Sequence, residues 1–322
     1  MTDSGPHTTV LLKASVEALN LNDGDVAIDC TVGGGGHTEA MLNAVGKSGR
    51  VIGLDRDETA FGLARTRLAA DTASGRLHLV KAPFSQLGAV VASLSLQGKV
   101  QGILADIGVS SMHLDQAERG FSFMKDGPLD MRMDQSGGRT AADLVADLGE
   151  DELTRIFRDF GEEPKAKQIA RKIVQVRGES PITRTSDLAD LVKRTVHYPG
   201  PSRKHPATRV FQALRLAVND ELGELERLID QGVEALRFKG RLAIISFHSL
   251  EDRIVKTRFI ALTGRKERAN VPRDLPFTAK EMDLMHVGKA SVIKPFPLSP
   301  TDDEINSNPR ARSAKLRVLE KS

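Results

Sequence analysis

The stretch DCTVGGGGHTEAML, residues 29–42, sets four consecutive glycines between an apolar run and a segment that can start a helix. A strand-to-helix turn without side chains lets a ligand approach the backbone closely. A Walker A phosphate loop closes on Lys followed by Ser or Thr, and GGGGHTEA has no Lys at that place. A dinucleotide fingerprint needs a third glycine. Gly34 and Gly36 supply the first pair, but Glu39 takes the third position in the first helical turn, where its charge opposes a pyrophosphate.

Outward from this turn, short apolar runs alternate with helical patterns. Residues 25–30 (DVAIDC), 50–55 (RVIGLD), 77–80 and 100–106 (VQGILAD) read as buried strands, separated by helical patterns at 37–45, 57–68 and 85–94. Strands spaced by helices imply right-handed βαβ units and a parallel sheet covered on both faces. The rhythm then stops. Residues 115–138 read as loop, with turn signals at DGP and SGG, and helical patterns follow at 140–148, 151–160, 164–177 and 185–196. It resumes with a helix at 221–236, the strand GRLAIIS at 240–246, a helix at 250–262 and a strand pair at 290–294 and 314–319. Residues 266–287 read as a long polar loop with one short helix. The expected organisation is an α/β domain in two parts, 1–113 and 215–322, interrupted by an all-helical domain, 114–214.

Composition bounds the function. The chain has 322 residues, 40% hydrophobic and 28% charged, as in an ordinary globular protein. No run approaches the ~20 apolar residues of a membrane span, and the N-terminal residues carry no secretory or transit pattern. A single cysteine, Cys30, excludes an internal disulfide and a multi-cysteine zinc site; it reads as a small buried residue, in keeping with a cytoplasmic protein without a metal. The net charge is only +3, yet basic residues gather within 155–215 and again at Arg310, Arg312, Lys315 and Arg317. Such clusters suit a polyanion such as nucleic acid, and equally suit solvated helix faces. With no Trp, one Tyr and twelve Phe, extensive base-stacking platforms are not expected.

The ligand reading then narrows. Asp55 ends the second strand, where a carboxylate accepts from both ribose hydroxyls of either NAD or S-adenosylmethionine. The sheet does not continue into a second mononucleotide-binding half, which disfavours NAD. Asp106 ends strand four beside the switch-point crevice, and Phe84, after strand three, offers either an apolar wall for adenine or plain core packing.

At ADIGVSSMHLDQAERGFSFMKDGPLDMRMD, residues 105–134, the pattern becomes far more specific. The chain resembles the RsmH (MraW) family of small-subunit (16S) ribosomal RNA cytosine-N4 methyltransferases. HTTVLLKASVEAL (7–19), DCTVGGGGHT, VIGLDRD, APFSQL, GEEPKAKQIARKIV, HPATRVFQALRLAVNDEL, GRLAIISFHSLEDRIVK and NPRARSAKLRV follow in family order over nearly the whole length. The resemblance implies a class I (Rossmann-like) S-adenosylmethionine-dependent methyltransferase sheet with an inserted all-helical, substrate-recognising domain. It implies S-adenosylmethionine as donor and a cytidine of the decoding region of 16S rRNA, in the small ribosomal subunit, as acceptor; it leaves a homodimer open. Carried onto this sequence, the cofactor positions are Gly35, Gly36, His37, Asp55, Phe84, Asp106 and His113. The last replaces the family's usual Gln.

The exocyclic amine of cytosine is a weak nucleophile because its lone pair is delocalised into the ring. A site for it must present acceptors to the amine hydrogens and hold nitrogen, methyl carbon and sulfur in line. Many amino-methyltransferases use an Asp/Asn-Pro-Pro-aromatic turn after strand four; here that place reads Asp106-Ile107-Gly108-Val109. Asp106 is the expected polar centre, as the catalytic group or, alternatively, as a cofactor ligand only. Ser246, His248 and Ser249, after strand five, are candidates for the target base, against the alternative of a helix cap at Ser249 with Asp252 at its third position. Arg119, Arg132, Arg209, Arg310 and Arg312 are candidate phosphate or base contacts, each with a structural ion pair as its alternative, while Asp130, Met131 and Met133 shape the pocket by packing. A helical insert with a basic face would grip the strand in a salt-sensitive way. A nicotinamide dehydrogenase, resting on Gly34, Gly36 and Asp55, and a non-enzymatic RNA-binding assembly factor are the competing readings.

Overall fold

The computed structural model describes residues 9–197, 205–264 and 288–322; the loop expected over 266–287 lies outside the described residues. The chain forms two compact units, Met1–Gly108 with Leu222–Ser322, and Val109–Glu221.

The first unit begins with α1 (Leu12–Ala18), β1 (Val26–Asp29), α2 (Gly36–Ala44), β2 (Arg50–Asp55), α3 (Glu58–Arg67), α4 (Ala69–Ala73), β3 (Leu77–Lys81), α5 (Leu87–Ser93) and β4 (Val100–Asp106). The chain then builds the second unit from α6 (Ser111–Asp115), α7 (Ala141–Asp147), α8 (Glu150–Asp159), α9 (Ala166–Val176), α10 (Thr185–Thr195) and α11 (Thr208–Asn219). It returns through α12 (Glu221–Ala235), β5 (Leu236–Ser246), α13 (Ser249–Leu262), β6 (Ala290–Leu298), α14 (Asp302–Ser307) and β7 (Lys315–Lys321).

The strands form one seven-stranded sheet in the order β3-β2-β1-β4-β5-β7-β6. β1 to β5 are parallel, and β7 runs antiparallel between β5 and β6. The near-continuous apolar runs are explained by burial on both faces. Alternate residues of one strand serve opposite cores: Ile28, Ile103, Ala105 and Ile244 join Leu87, Leu228 and Phe259 on one face. Ala27, Leu104, Ala243 and Ile245 join Leu19, Met41 and Leu42 on the other.

Several elements differ from the sequence expectation for identifiable reasons. β5 starts at Leu236 rather than 240, because a register shift against β4 between Val100 and Gly102 is absorbed around Lys239, whose φ is 61°. β6 runs on to Leu298 through a second register shift. Helices α1, α4, α6, α11 and α14 extend the expected set.

The second unit has its own core. α9 buries Ala166, Ile169, Ala170 and Ile173, an i, i+3, i+4, i+7 stripe, and α11 buries Val210, Phe211, Ala213 and Leu214. Helix α7 starts on a capping box in which Thr140 and Asp143 satisfy each other's amides. The 115–138 segment has no regular strand, yet Phe121, Leu129, Met131 and Met133 are buried in this core. Asn219 pins it: its amide nitrogen donates to the Met131 carbonyl at 2.8 Å and its oxygen accepts from the Met133 amide at 2.8 Å. These bonds, and the stacking of His113 on Phe121 at 4.8 Å, place residues on both sides of the expected 114–214 segment in the helical unit. Asn219→Ala leaves two buried backbone groups without these partners and is expected to cost about 2 kcal/mol. Urea unfolding of the purified chain measures it; an unchanged midpoint would show that the loop is held by packing alone.

Candidate active site

In a sheet ordered β3-β2-β1-β4, the chain leaves β1 and β4 in opposite directions, which opens a crevice at their C-terminal ends. Three strands deliver an aspartate to that edge: Asp29 from β1, Asp55 from β2 and Asp106 from β4. Asp29 is fully buried, accepting from the Thr38 hydroxyl at 2.6 Å and from the Thr31 amide at 3.0 Å. The Thr31 hydroxyl in turn accepts from the Asp106 amide at 2.7 Å, joining the ends of β1 and β4. Asp55 accepts from the Gly33 amide at 2.8 Å and from the Asp57 amide at 2.9 Å, so it anchors the glycine turn.

The glycines differ in what they do. Gly35 has a φ of 81°, as the residue preceding α2. A Cβ on Gly34 would meet nothing within 4 Å, so this position opens on free space. Glu39 bonds Arg67 of α3, whose guanidinium also donates to the Gly34 carbonyl at 3.2 Å. Its charge is thus paired, and the case against a phosphate ligand cannot rest on Glu39. It rests on the missing lysine and on the carboxyl groups at the sheet edge.

His37, in the first turn of α2, is buried, and its Nδ1 lies 3.8 Å from Asp106 Oδ2. Burial lowers His37 to about 4. Burial, then the neighbouring Asp29 and Glu251, raise Asp106 to about 8, and burial raises Asp29 to about 6. At neutral pH His37 is therefore neutral and Asp106 mostly protonated, so the contact is not an ion pair. Asp106 Oδ1 and His37 Nε2 are buried without a hydrogen-bond partner among the described residues. Orphaned polar atoms beside an open glycine turn fit a ligand that brings its own donors and acceptors.

Beyond β5 the chain caps α13. The cap is His248, not Ser249, and the third helical position is Glu251, not Asp252. Buried Glu251 accepts from the Phe247 amide at 2.9 Å and the His248 amide at 3.2 Å. Asp252 instead accepts from Lys315 at 3.1 Å and Arg317 at 2.8 Å. Ser246 is buried at the end of β5, whose Ile245 is in register with Asp106. Phe84 belongs to the core and carries the Arg56 guanidinium 5.8 Å from its ring centre.

The first unit holds Gly35, Gly36, His37, Asp55, Phe84, Asp106, Ser246 and His248, with Arg310 and Arg312 exposed on a short turn before β7. His113, Arg119, Arg132 and Arg209 belong to the helical unit. There Arg119 is buried and donates to the Arg132 and Met133 carbonyls at 3.1 and 2.9 Å, a staple of the loop. Arg132 grips Asp130 with two bonds of 2.8 Å, and Arg209 is exposed. Asp29, Thr31 and Glu251 escape a residue-by-residue sequence reading, although the repeated ending in VAID, RVIGLD and VQGILAD signals Asp29.

Antiparallel β7 between β5 and β6, beside an edge of carboxyl groups and a glycine turn without a phosphate-binding lysine, defines a class I, Rossmann-like methyltransferase. The chain belongs to the MraW methylase family, whose profile matches residues 4–322. It is 47% identical over 318 residues to the ribosomal RNA small subunit methyltransferase H of Heliobacterium modesticaldum, covering 98% of both chains. Among solved structures it is similar to an S-adenosylmethionine-dependent O-methyltransferase from Thermotoga maritima (TM-score 0.41, 13% identity, 100% of this chain and 69% of that one). A similar likeness extends to an S-adenosylmethionine-dependent methyltransferase from Aquifex aeolicus (TM-score 0.37, 9% identity, 97% and 90%).

The raised Asp106 has a consequence for stability. The folded state holds its proton up to about pH 8, whereas the unfolded chain releases it near 4, so stability falls as pH rises across that window. Asp106→Asn removes this penalty. Its melting temperature is expected to exceed that of the parent protein by several degrees at pH 8.5, with the gap closing toward pH 4.5. Parallel melting curves across that range, with no widening of the gap, would rule the raised carboxyl out.

Proposed function

We propose that this methylase transfers a methyl group from S-adenosylmethionine to N4 of a cytidine in the decoding region of 16S rRNA, with the small ribosomal subunit as its substrate. The reading rests chiefly on Asp106, a carboxyl group with an unpartnered buried oxygen at the switch-point edge. It lies in a chain 47% identical across its length to a ribosomal RNA small subunit methyltransferase H. Antiparallel β7 leaves no second mononucleotide-binding half, which argues against a nicotinamide ligand.

S-adenosylmethionine, when bound, supplies an electrophilic methyl group. The protein's part is to hold and orient. The turn through Gly35 and Gly36, open at Gly34, receives the amino-acid end; the Asp55 carboxylate accepts from ribose hydroxyls, and Phe84 offers an apolar surface for adenine. Asp106, when ionised, accepts a hydrogen of the cytosine amine, turning the nitrogen lone pair toward the methyl carbon. The amine proton becomes acidic as the N–C bond forms, and ionised Asp106 takes it. Ser246 and His248, at the end of β5, are suited to the edge of the base. His113 is assigned to the cofactor on family resemblance alone.

Small subunits isolated from cells lacking this protein, incubated with it and a labelled methyl donor, are expected to yield N4-methylcytidine on nucleoside mass spectrometry. Methylation at carbon 5, or none at all with cofactor binding intact, would overturn the reading. The single-turnover rate is expected to rise with pH up to about 8, as Asp106 ionises. Asp106→Asn is expected to lose that dependence and about 10²-fold in rate; an unchanged pH profile in the variant would remove Asp106 from the proton path.

A further inference from the structure

The helical unit is not basic as a whole: residues 109–221 carry 18 Lys and Arg against 18 Asp and Glu. The imbalance is local. Residues 165–195, which contain α9 and α10, hold eight basic residues against three acidic ones. Between these two helices lies an open groove of about 720 Å³, bordered by Gln168, Arg171, Lys172 and Gln175 from α9 and by Arg194 and Thr195 from α10. Residues four apart on a helix stand on one face about 6 Å from each other. Gln168 and Lys172, like Arg171 and Gln175, therefore alternate donors and charge along the groove.

These cations are poorly matched by the protein itself. The side chain of Arg171 is 65% exposed, with Glu150 at 3.4 Å. Among the described residues Lys172 bonds the neutral Gln175, at 3.4 Å, and Arg194 donates to the Asp190 carbonyl of its own helix at 3.2 Å. Asp187, the one acid among the described bordering residues, accepts from the Arg184 amide at the start of α10. An exposed pair as loose as Arg171–Glu150 gives little stability and exchanges readily for a stronger anion. Asp187 apart, the groove's polar lining is two guanidinium forks, an ammonium, the amides of Gln168 and Gln175 and the hydroxyls of Ser180 and Thr195, beside apolar Val176, Pro181, Ile182 and Leu191. The Gln168 amide already bridges the two helices, donating to the Thr195 carbonyl at 2.9 Å, so the three cations carry the attraction. With no aromatic surface among the bordering residues, such a set binds phosphodiester oxygens and does not read bases.

We propose that the α9–α10 groove is a docking track for the phosphodiester backbone of RNA, distinct from the crevice at the ends of β1 and β4. This rests on the rRNA reading above for the identity of the polyanion. The track anchors RNA without regard to sequence, leaving discrimination of the target base to the sheet edge.

The test uses the full chain and a protein-free 16S rRNA transcript, with binding followed at several salt concentrations. Arg171→Gln, Lys172→Gln and Arg194→Gln combined are expected to weaken binding at least about 10-fold. They should also reduce the slope of log K against log salt by about 2, three lost phosphate contacts at roughly 0.7 each. A control with Lys13→Gln, Lys47→Gln and Lys99→Gln, exposed lysines of the sheet unit, loses the same charge and is expected to bind as the parent does. Melting temperature and S-adenosylhomocysteine binding should match across all three proteins. Parent-like affinity and salt slope in the groove variant would overturn the proposal, as would an equal loss in the control. A groove variant that binds the transcript normally but fails on assembled subunits would also overturn it, assigning the groove to a protein partner. Lost RNA affinity in the variant, with no methyl transfer by the parent protein, would uphold the track while removing the N4 reading.

Discussion

The hydrogen bond from the Asp106 amide to the Thr31 hydroxyl, 2.7 Å long, is the joint on which the site depends. Parallel strands that diverge at their ends leave backbone amides and carbonyls without ladder partners, and buried orphans of that kind are costly. Thr31 closes the gap between β1 and β4 with its side chain, and its own amide is held by Asp29. The same few residues thus finish two strands, fix the start of the glycine turn and place a carboxyl group at the crevice. Desolvation is the accompanying constraint. It is the leading cause of the shifts at Asp29, His37 and Asp106, and it drives all three toward their neutral forms.

Much of this was legible in the sequence because the strands are buried on both faces and end abruptly in acid. RVIGLD and VQGILAD mark β2 and β4 to the residue, and their aspartates lie where the pattern puts them. What stayed hidden depends on partners distant in the chain. Glu39 reads as a charge aimed at the ligand until α3 folds back and supplies Arg67, 28 residues later. The α13 cap shifts from Ser249 to His248 because Glu251 reaches the amides of Phe247 and His248, while β7 claims Asp252 through Lys315 and Arg317. Arg119 and Arg132 look like phosphate ligands in a list of arginines, yet the fold turns one onto carbonyls and the other onto Asp130.

The helical unit teaches a related point about charge. Basic residues are scattered through its sequence, but acids balance them in total, and only the fold shows that Arg171, Lys172 and Arg194 of α9 and α10 border one groove. A count over a domain is a poor guide to its field; the local excess, and whether each cation already has a partner, decide what a surface attracts.

The position of β7 carries a consequence for the order of assembly. It follows the other described strands in the chain, yet it sits between β5 and β6 and supplies the pairing that β6 has among the described residues. A chain emerging from its N-terminus can close β1 to β4, and then the helical unit, long before that strand exists. Until it arrives β5 has an open edge, β6 has no neighbour, and Asp252 lacks both of its cations. The side of the sheet next to Ser246 and His248 is thus the last to become rigid, and a nascent methylase meets its full binding edge only when its final strand slides into place.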